Sequence, residues 1–243
     1  MFELIGFLAS TLAGGVASVA GFGIGSILTP LLSLTFSTKL AIALVAIPHF
    51  LATLFRFWLI KSHLDFKLFL HFGLLSALGG TLGAYSQNYL ATPSLNFIFG
   101  IVLLLTGGLG IFGLSEKLRF YGSLSWVAGG ISGFFGGLVG NQGGIRAAAM
   151  LGQGISKEAF VATATAVGLV VDLARIPVYL NFEWERLVEF RGLISLISAG
   201  CLFGTLLGIR FLKYIPERVF KRAVSGLVLG LGIVMISRSF LMP

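Results

Sequence analysis

The sequence predicts an all-α polytopic membrane protein built as two repeats of about four membrane segments each. Three observations carry that prediction. Of 243 residues, 56% are hydrophobic and only 11% charged, with a mean hydropathy of +0.99; a soluble domain is about one-quarter charged. Apolar runs separated by short loops fill the chain from end to end. A glycine-rich interruption also occurs twice inside apolar sequence, as Gly21-Phe22-Gly23-Ile24-Gly25-Ser26 and as Gly140-Asn141-Gln142-Gly143-Gly144-Ile145-Arg146.

Taken in order, apolar segments are predicted at 3–20, 26–36, 40–60, 68–88, 94–114, 122–139, 145–153, 158–180, 190–211 and 219–241. A spanning helix needs about 20 apolar residues, so the chain has room for roughly seven or eight spans and no separate soluble domain. The opening run has Glu3 as its first charge and Lys39 as its first basic residue. It lacks the basic start of a signal peptide and is expected to be retained as a membrane segment. Turn and helix-start signals such as Thr92-Pro93-Ser94 and Ile215-Pro216-Glu217 punctuate later segments.

The halves, 1–120 and 121–243, share a series of landmarks. Gly14-Gly15 aligns with Gly129-Gly130, Arg56 with Arg175, Gly80-Thr81 with Gly204-Thr205, Pro93 and Phe97 with Pro216 and Phe220, and Gly107 with Gly230. Loop lysines and arginines favour the cytoplasm and test how the repeats are oriented. Four full spans per half divide the loop cations six against seven, which gives no orientation. If the segment at each glycine interruption is instead a re-entrant hairpin, three spans per half remain and the division becomes nine against four. Three is odd, so the second repeat is then inverted relative to the first, with both termini outside the cytoplasm. The stretch 145–153 is also too short to span at about 1.5 Å per residue. Each repeat is therefore expected to open with a glycine-broken or re-entrant segment.

The net charge of +8 sits mostly in short loops, where topology and anionic lipid head groups explain it; no nucleic-acid partner is implied. The single cysteine, Cys201, lies in an apolar run and reads as a packing residue. His49, His63 and His71 have no metal-ligand spacing, so no metal or cofactor is expected. His49 follows Pro48 in an apolar run that can lie near the first interruption and reads as a packed, hydrogen-bonded histidine in preference to a functional one, and His63 and His71 as interfacial. No nucleotide-binding GxxxxGK[ST] is present, and GxSxG, HExxH and paired acids are also missing from the sequence. An intramembrane enzyme is disfavoured on those grounds.

A helix interrupted inside a membrane frees N–H groups at its new start, and the dipole there favours an anion. Gly23, Gly25 and Ser26 are read as one half of such a cradle, and Gly143, Gly144 and Ile145 as the other. Arg146 follows directly and offers a planar fork that suits sulfonate, sulfite or carboxylate oxygens. Asn141 and Gln142 add amide donors. The competing reading for the glycines is close helix packing, which is favoured for Gly14, Gly15, Gly79, Gly80, Gly107, Gly108 and Gly133. Asp172 and Arg175 share a helix face ahead of Pro177. They are a structural ion pair or, alternatively, a proton-coupling group. Arg56 reads as a side chain snorkelling to the interface near Lys61. Thr163 and Thr165 are expected to bond their own helix.

The run from Gly129 to Gly140 followed by Asn141-Gln142-Gly143-Gly144, together with first-half glycines leading into Thr29-Pro30-Leu31-Leu32, resembles the TauE/SafE permeases. The resemblance covers essentially the whole chain. It departs from the family pattern at Phe22 and Ile24, and at Asn141 and Gln142. The resemblance implies a secondary transporter of small sulfur-containing anions, such as sulfite or sulfoacetate, in the inner cell membrane. Export by alternating access around the two interruptions is the implied mechanism. Membrane lipid is an expected partner, and self-association into a homo-oligomer is left open. A passive anion channel, or a carrier of a small organic carboxylate, is the alternative.

Overall fold

The computed structural model describes residues 2–20, 23–114, 122–141, 143, 146, 150, 155–211 and 216–241. Those residues are helical throughout, apart from turns and connections, and carry no strand. The helices are α1 (Phe2–Ala20), α2 (Ile24–Ser33), α3 (Thr38–Ile60), a 3₁₀ turn (Lys61–His63), α4 (Phe66–Tyr89), α5 (Thr92–Ile111), α6 (Ser123–Val139), α7 (Lys157–Glu189), α8 (Arg191–Phe211) and α9 (Glu217–Leu241).

Local chemistry sets most of the helix ends. Ser37, Asp65 and Ser156 cap α3, α4 and α7, each accepting a hydrogen bond from the backbone N–H three residues on. Pro93 begins α5, where a missing N–H costs nothing. Gly140 ends α6 in the left-handed conformation, φ 74°, with its N–H returned to the Gly136 carbonyl. Gly23 precedes α2 at φ 142°, which only glycine adopts without strain.

Among the described residues six helices are long and apolar enough to cross a membrane: α3 to α5 in the first half, and α7 to α9 in the second. α1, α2 and α6 are shorter apolar helices. The expected loop after 180 is not formed. α7 runs on to Glu189 and bends at Glu183, whose dihedrals leave the helical region. Pro177 is carried within it. The expected segment 145–153 lies largely outside the described residues.

Lipid-facing and protein-facing surfaces separate cleanly. Leu4, Ile5, Leu8 and Leu12 on α1, and Leu74, Leu78 and Leu82 on α4, are exposed apolar side chains, as an outer surface in hydrocarbon requires. At the centre, α2 is buried over nearly its whole length, together with Leu40 to Ala46 of α3. α3 packs on α7, and the pair forms the middle of the molecule.

Around that pair, α1 packs on α8 and α4 on α6, while α5 packs on α9. The first two contacts are close backbone approaches. A Cβ placed on Gly14 would lie 2.2 Å from the Cys201 carbonyl oxygen, and one on Gly204 1.9 Å from that of Thr11. A Cβ on Gly133 would lie 2.0 Å from the Ser76 carbonyl oxygen, and one on Gly137 1.9 Å from that of Gly80. Small residues let membrane helices approach this closely, where van der Waals packing supplies the adhesion. Gly79, Gly80 and Gly107 sit in similar contacts, whereas Gly108 has nothing within 4 Å and was wrongly expected to pack.

Gly137→Val should therefore separate α4 from α6 and lower the melting temperature of the purified protein, by an equivalent of about 1–3 kcal/mol. Gly108→Ala should leave it unchanged or raise it slightly. A thermal-unfolding series in detergent checks both.

Candidate functional site

The two central helices present matching polar stripes. His49, Thr53 and Arg56 are spaced four and three apart on α3, and Gly168, Asp172, Arg175 and Tyr179 four, three and four apart on α7. Such spacings lie on one helix face. The stripes meet head to tail. His49 Nδ1 lies 2.7 Å from Asp172 Oδ2, and a Cβ on Gly168 would lie 3.7 Å from the Thr53 methyl group. Further along, the Asp65 N–H donates to Thr163 Oγ1 at 3.1 Å. Thr163 thus bonds across the helices rather than within its own, while Thr165 donates to the Val161 carbonyl as expected.

Asp172 is completely buried. Its Oδ1 accepts from Arg175 Nε at 2.9 Å and lies 2.8 Å from Arg175 Nη2, so the guanidinium grips one oxygen while His49 holds the other. Arg175 also donates from Nη1 to the Gly136 carbonyl at 2.5 Å. Tyr179 donates its hydroxyl to the Gly137 carbonyl. These two side chains add donors to carbonyls in the last turn of α6: Gly136, which also accepts from the Gly140 N–H, and Gly137.

Arg56 does the same for α1. It is buried, not interfacial, and its Nη1 donates to the Ala17 carbonyl near the end of that helix. The expectation that Arg56 snorkels to the membrane surface fails because its guanidinium turns inward to an unfilled helix end.

Between these groups lies a narrow cavity of about 20 Å³, counted as space for the centre of a water molecule. That is room for about one water. Ala17, Ser18, Gly23, Ile24, Gly25, Ser26, His49, Ala52, Thr53, Arg56, Gly140, Asn141, Gly143, Arg146, Gly168 and Thr205 line it. The two glycine-rich segments touch there: a Cβ on Gly25 would lie 2.1 Å from the Gly140 carbonyl oxygen. Of the residues singled out in sequence, Gly23, Gly25, Ser26, Asn141, Gly143 and Arg146 all reach this cavity. Gln142, Gly144 and Ile145 lie outside the described residues. Asp172 and Arg175 stand behind the cavity wall, attached to it through His49.

The lining is rich in donors that lack acceptors. Arg146 Nη1, Arg56 Nε and Asn141 Nδ2 are buried with no hydrogen-bond partner among the described residues. The parent side chains are 5%, 7% and 3% exposed. Helix α2 starts here as well, with Ile27 the first residue to bond back, to Gly23. The N–H groups of Ile24, Gly25 and Ser26 precede that bond and have no acceptor within the helix.

Sequence reading missed Thr53, Gly168 and Thr205, ranked His49 as a packed residue while placing it near the first interruption, and misplaced Arg56. A signal was available. Arg56 aligns with Arg175, and His49 and Thr53 lie seven and three residues before it on the same face. No histidine or carboxylate partner could be assigned without the helix crossing.

Removing the buried carboxylate strands Arg175. Asp172→Ala should destabilise the protein by about 3–5 kcal/mol, read as a lower melting temperature and less monodisperse protein. Adding Arg175→Met to that variant should recover part of the loss, since the uncompensated charge goes with it.

Compared with known proteins, residues 6–235 match the family model described as sulfite exporter TauE/SafE. No curated protein and no solved structure matches the chain.

Proposed function

Starting from a chain that belongs to the sulfite exporter TauE/SafE family, we propose that it is a secondary transporter carrying a small sulfur-containing anion, sulfite or an organosulfonate such as sulfoacetate, out across the inner cell membrane. The family is one of membrane transporters, and the six long apolar helices accord with a multi-pass protein. The anion binds where the two glycine-rich segments meet, on Gly23, Gly25, Ser26, Asn141, Gln142, Gly143, Gly144 and Arg146.

One observation carries this reading. Arg146, Arg56 and Asn141 point buried, unpaired donors at one cavity, and a buried donor without an acceptor costs about 1–3 kcal/mol, more when charged. An anion with several oxygens removes that cost. The cavity is too narrow for sulfite as it stands, so loading requires the halves to move apart, as alternating access demands.

The halves 1–120 and 121–243 act as inverted repeats in this reading. Exchanging them maps α1 on α8 onto α6 on α4, and leaves α3 on α7 and α5 on α9 in place, which is the packing observed. Gly14, Ala17 and Arg56 correspond to Gly133, Gly136 and Arg175, each 119 positions later, a better register for Gly14 than Gly129. In this register Arg56 and Arg175 each bond the last turn of the first helix of their own half. The corresponding helices α3 and α7 run antiparallel, and each half holds three long apolar helices, an odd number. Both features support inversion.

Asp172, Arg175 and His49 form the coupling element. Histidine is the side chain whose charge changes nearest physiological pH, and the His49–Asp172 contact ties the central helix of one repeat to that of the other. Arg175 holds Asp172 on its other oxygen, so the carboxylate is gripped from both central helices.

Flux of sulfite and sulfoacetate into proteoliposomes, with and without a pH gradient, tests the reading. Wild type should show saturable flux. Arg146→Ala should lose about tenfold or more, the scale of a charged hydrogen bond. His49→Gln should keep flux and lose its dependence on the gradient. Undiminished flux in Arg146→Ala would remove that residue from the site.

Topology gives a separate check. Lys39→Cys and Lys157→Cys, at the starts of α3 and α7, should react with an impermeant maleimide from opposite sides of the membrane. Cys201, the one native cysteine, is buried and adds little background. Labelling from the same side would exclude inversion.

A further inference from the structure

Charge bookkeeping around the cavity narrows the substrate class, taking the proposed anion site as its basis. Among the cavity-lining residues the ionisable side chains are His49, Arg56 and Arg146. Asp172 and Arg175 lie directly behind, in contact with His49 and with each other. Residues 142, 144, 145, 147–149 and 151–154 carry no acidic or basic side chain. Among the described residues Asp172 is therefore the one carboxylate set against three buried guanidiniums, and two positive charges remain when His49 is neutral.

The proposed repeat relation explains where the excess comes from. The offset of 119 that takes Arg56 to Arg175 takes Thr53 to Asp172. Arg175 has its acid three residues earlier on the same face. Arg56 has Thr53 there, whose hydroxyl carries no charge. One arginine of the pair is neutralised by its own repeat, and the other is not. Arg56 keeps its Nε without an acceptor, and Arg146 keeps its Nη1. Each unneutralised charge held away from water costs several kcal/mol, and in a membrane interior such groups face a partner or a cavity.

We propose that the cavity is matched to a doubly charged anion, with Arg56 and Arg146 each supplying one of the two compensating charges. Inorganic sulfite or sulfate dianion fits that class, as does a sulfonate that also carries a carboxylate. A singly charged sulfonate leaves one guanidinium unpaired. A zwitterion such as taurine also leaves one unpaired and adds a buried ammonium beside it. Arg56 is thus a specificity-determining residue, and its interaction with Ala17 aims the guanidinium while leaving Nε to the ligand.

The test uses pairs of anions of similar shape and different charge. Sulfate and methanesulfonate form one pair; sulfoacetate and isethionate form the other, with taurine as the neutral member. Binding to the full chain is measured by calorimetry in nanodiscs of neutral lipid, at a pH where the histidine is uncharged. The dianion of each pair should bind about tenfold or more tightly than its monoanion, the scale of a close charge pair. Arg56→Gln should weaken the dianions by a similar factor and leave the monoanions within about threefold. Arg56→Lys, which keeps the charge, should retain the dianion preference, separating charge from any effect of the lost guanidinium geometry.

Equal binding of both members in wild type would overturn the charge-matching proposal and leave the anion site intact. Equal weakening of both members in Arg56→Gln, with Arg56→Lys behaving the same way, would overturn the role of Arg56. Absence of binding by every anion in folded wild-type protein would overturn the transporter reading itself, and the proposal with it.

Discussion

A helix that stops inside hydrocarbon exposes carbonyls at its end, and lipid offers them no donor. Much of the interior here answers that constraint. The last turns of α1 and α6 are each met by an arginine from a central helix: Arg56 on Ala17, and Arg175 on Gly136. A guanidinium is suited to the task because it brings several donors and a positive charge to the negative end of a helix dipole. Burying it carries its own cost. That cost is why the carboxylate of Asp172, the ring of His49 and the cavity all lie within reach of the same two helices.

The two arginines are compensated differently. On α7 the neighbouring turn supplies Asp172, and the pair is closed further by His49 from α3. On α3 the neighbouring turn supplies Thr53, and no carboxylate balances Arg56 locally. The two arginines therefore stand in opposite electrostatic situations. The proposed division of labour follows from that difference: one side ties the central helices together, and the other presents charge to a ligand.

Packing at the periphery serves the same centre. The backbone approaches of α1 to α8 and of α4 to α6 leave no room for a side chain at Gly14, Gly133, Gly137 or Gly204. Rigid helix pairs result, and each ties a short helix to a long one. Residues at the ends of α1 and α6, Ala17, Ser18 and Gly140, line the cavity. Between them α2 is buried nearly all round, and its N-terminus faces the polar lining.

Much of this was legible in the sequence because its causes are local or compositional. Hydropathy alone required a helical membrane protein, since a backbone in lipid must satisfy its own hydrogen bonds. Glycine spacing marked the two segments that meet at the cavity, and Arg146 and Asn141 stood out as polar groups that lipid penalises. What the sequence left open depended on crossings between distant segments. His49 is 123 positions from Asp172, and nothing in either neighbourhood names the other. Arg56 looked interfacial because Lys61 is near in sequence, whereas its direction is set by the end of α1, 39 positions earlier. The bend at Glu183 likewise escaped, because apolar periodicity fades there while the helix continues. Composition and local spacing determined which groups the membrane must hide. The tertiary structure decided which hides which, because burial and ion pairing are contacts between helices, and their partners are chosen by how the helices cross.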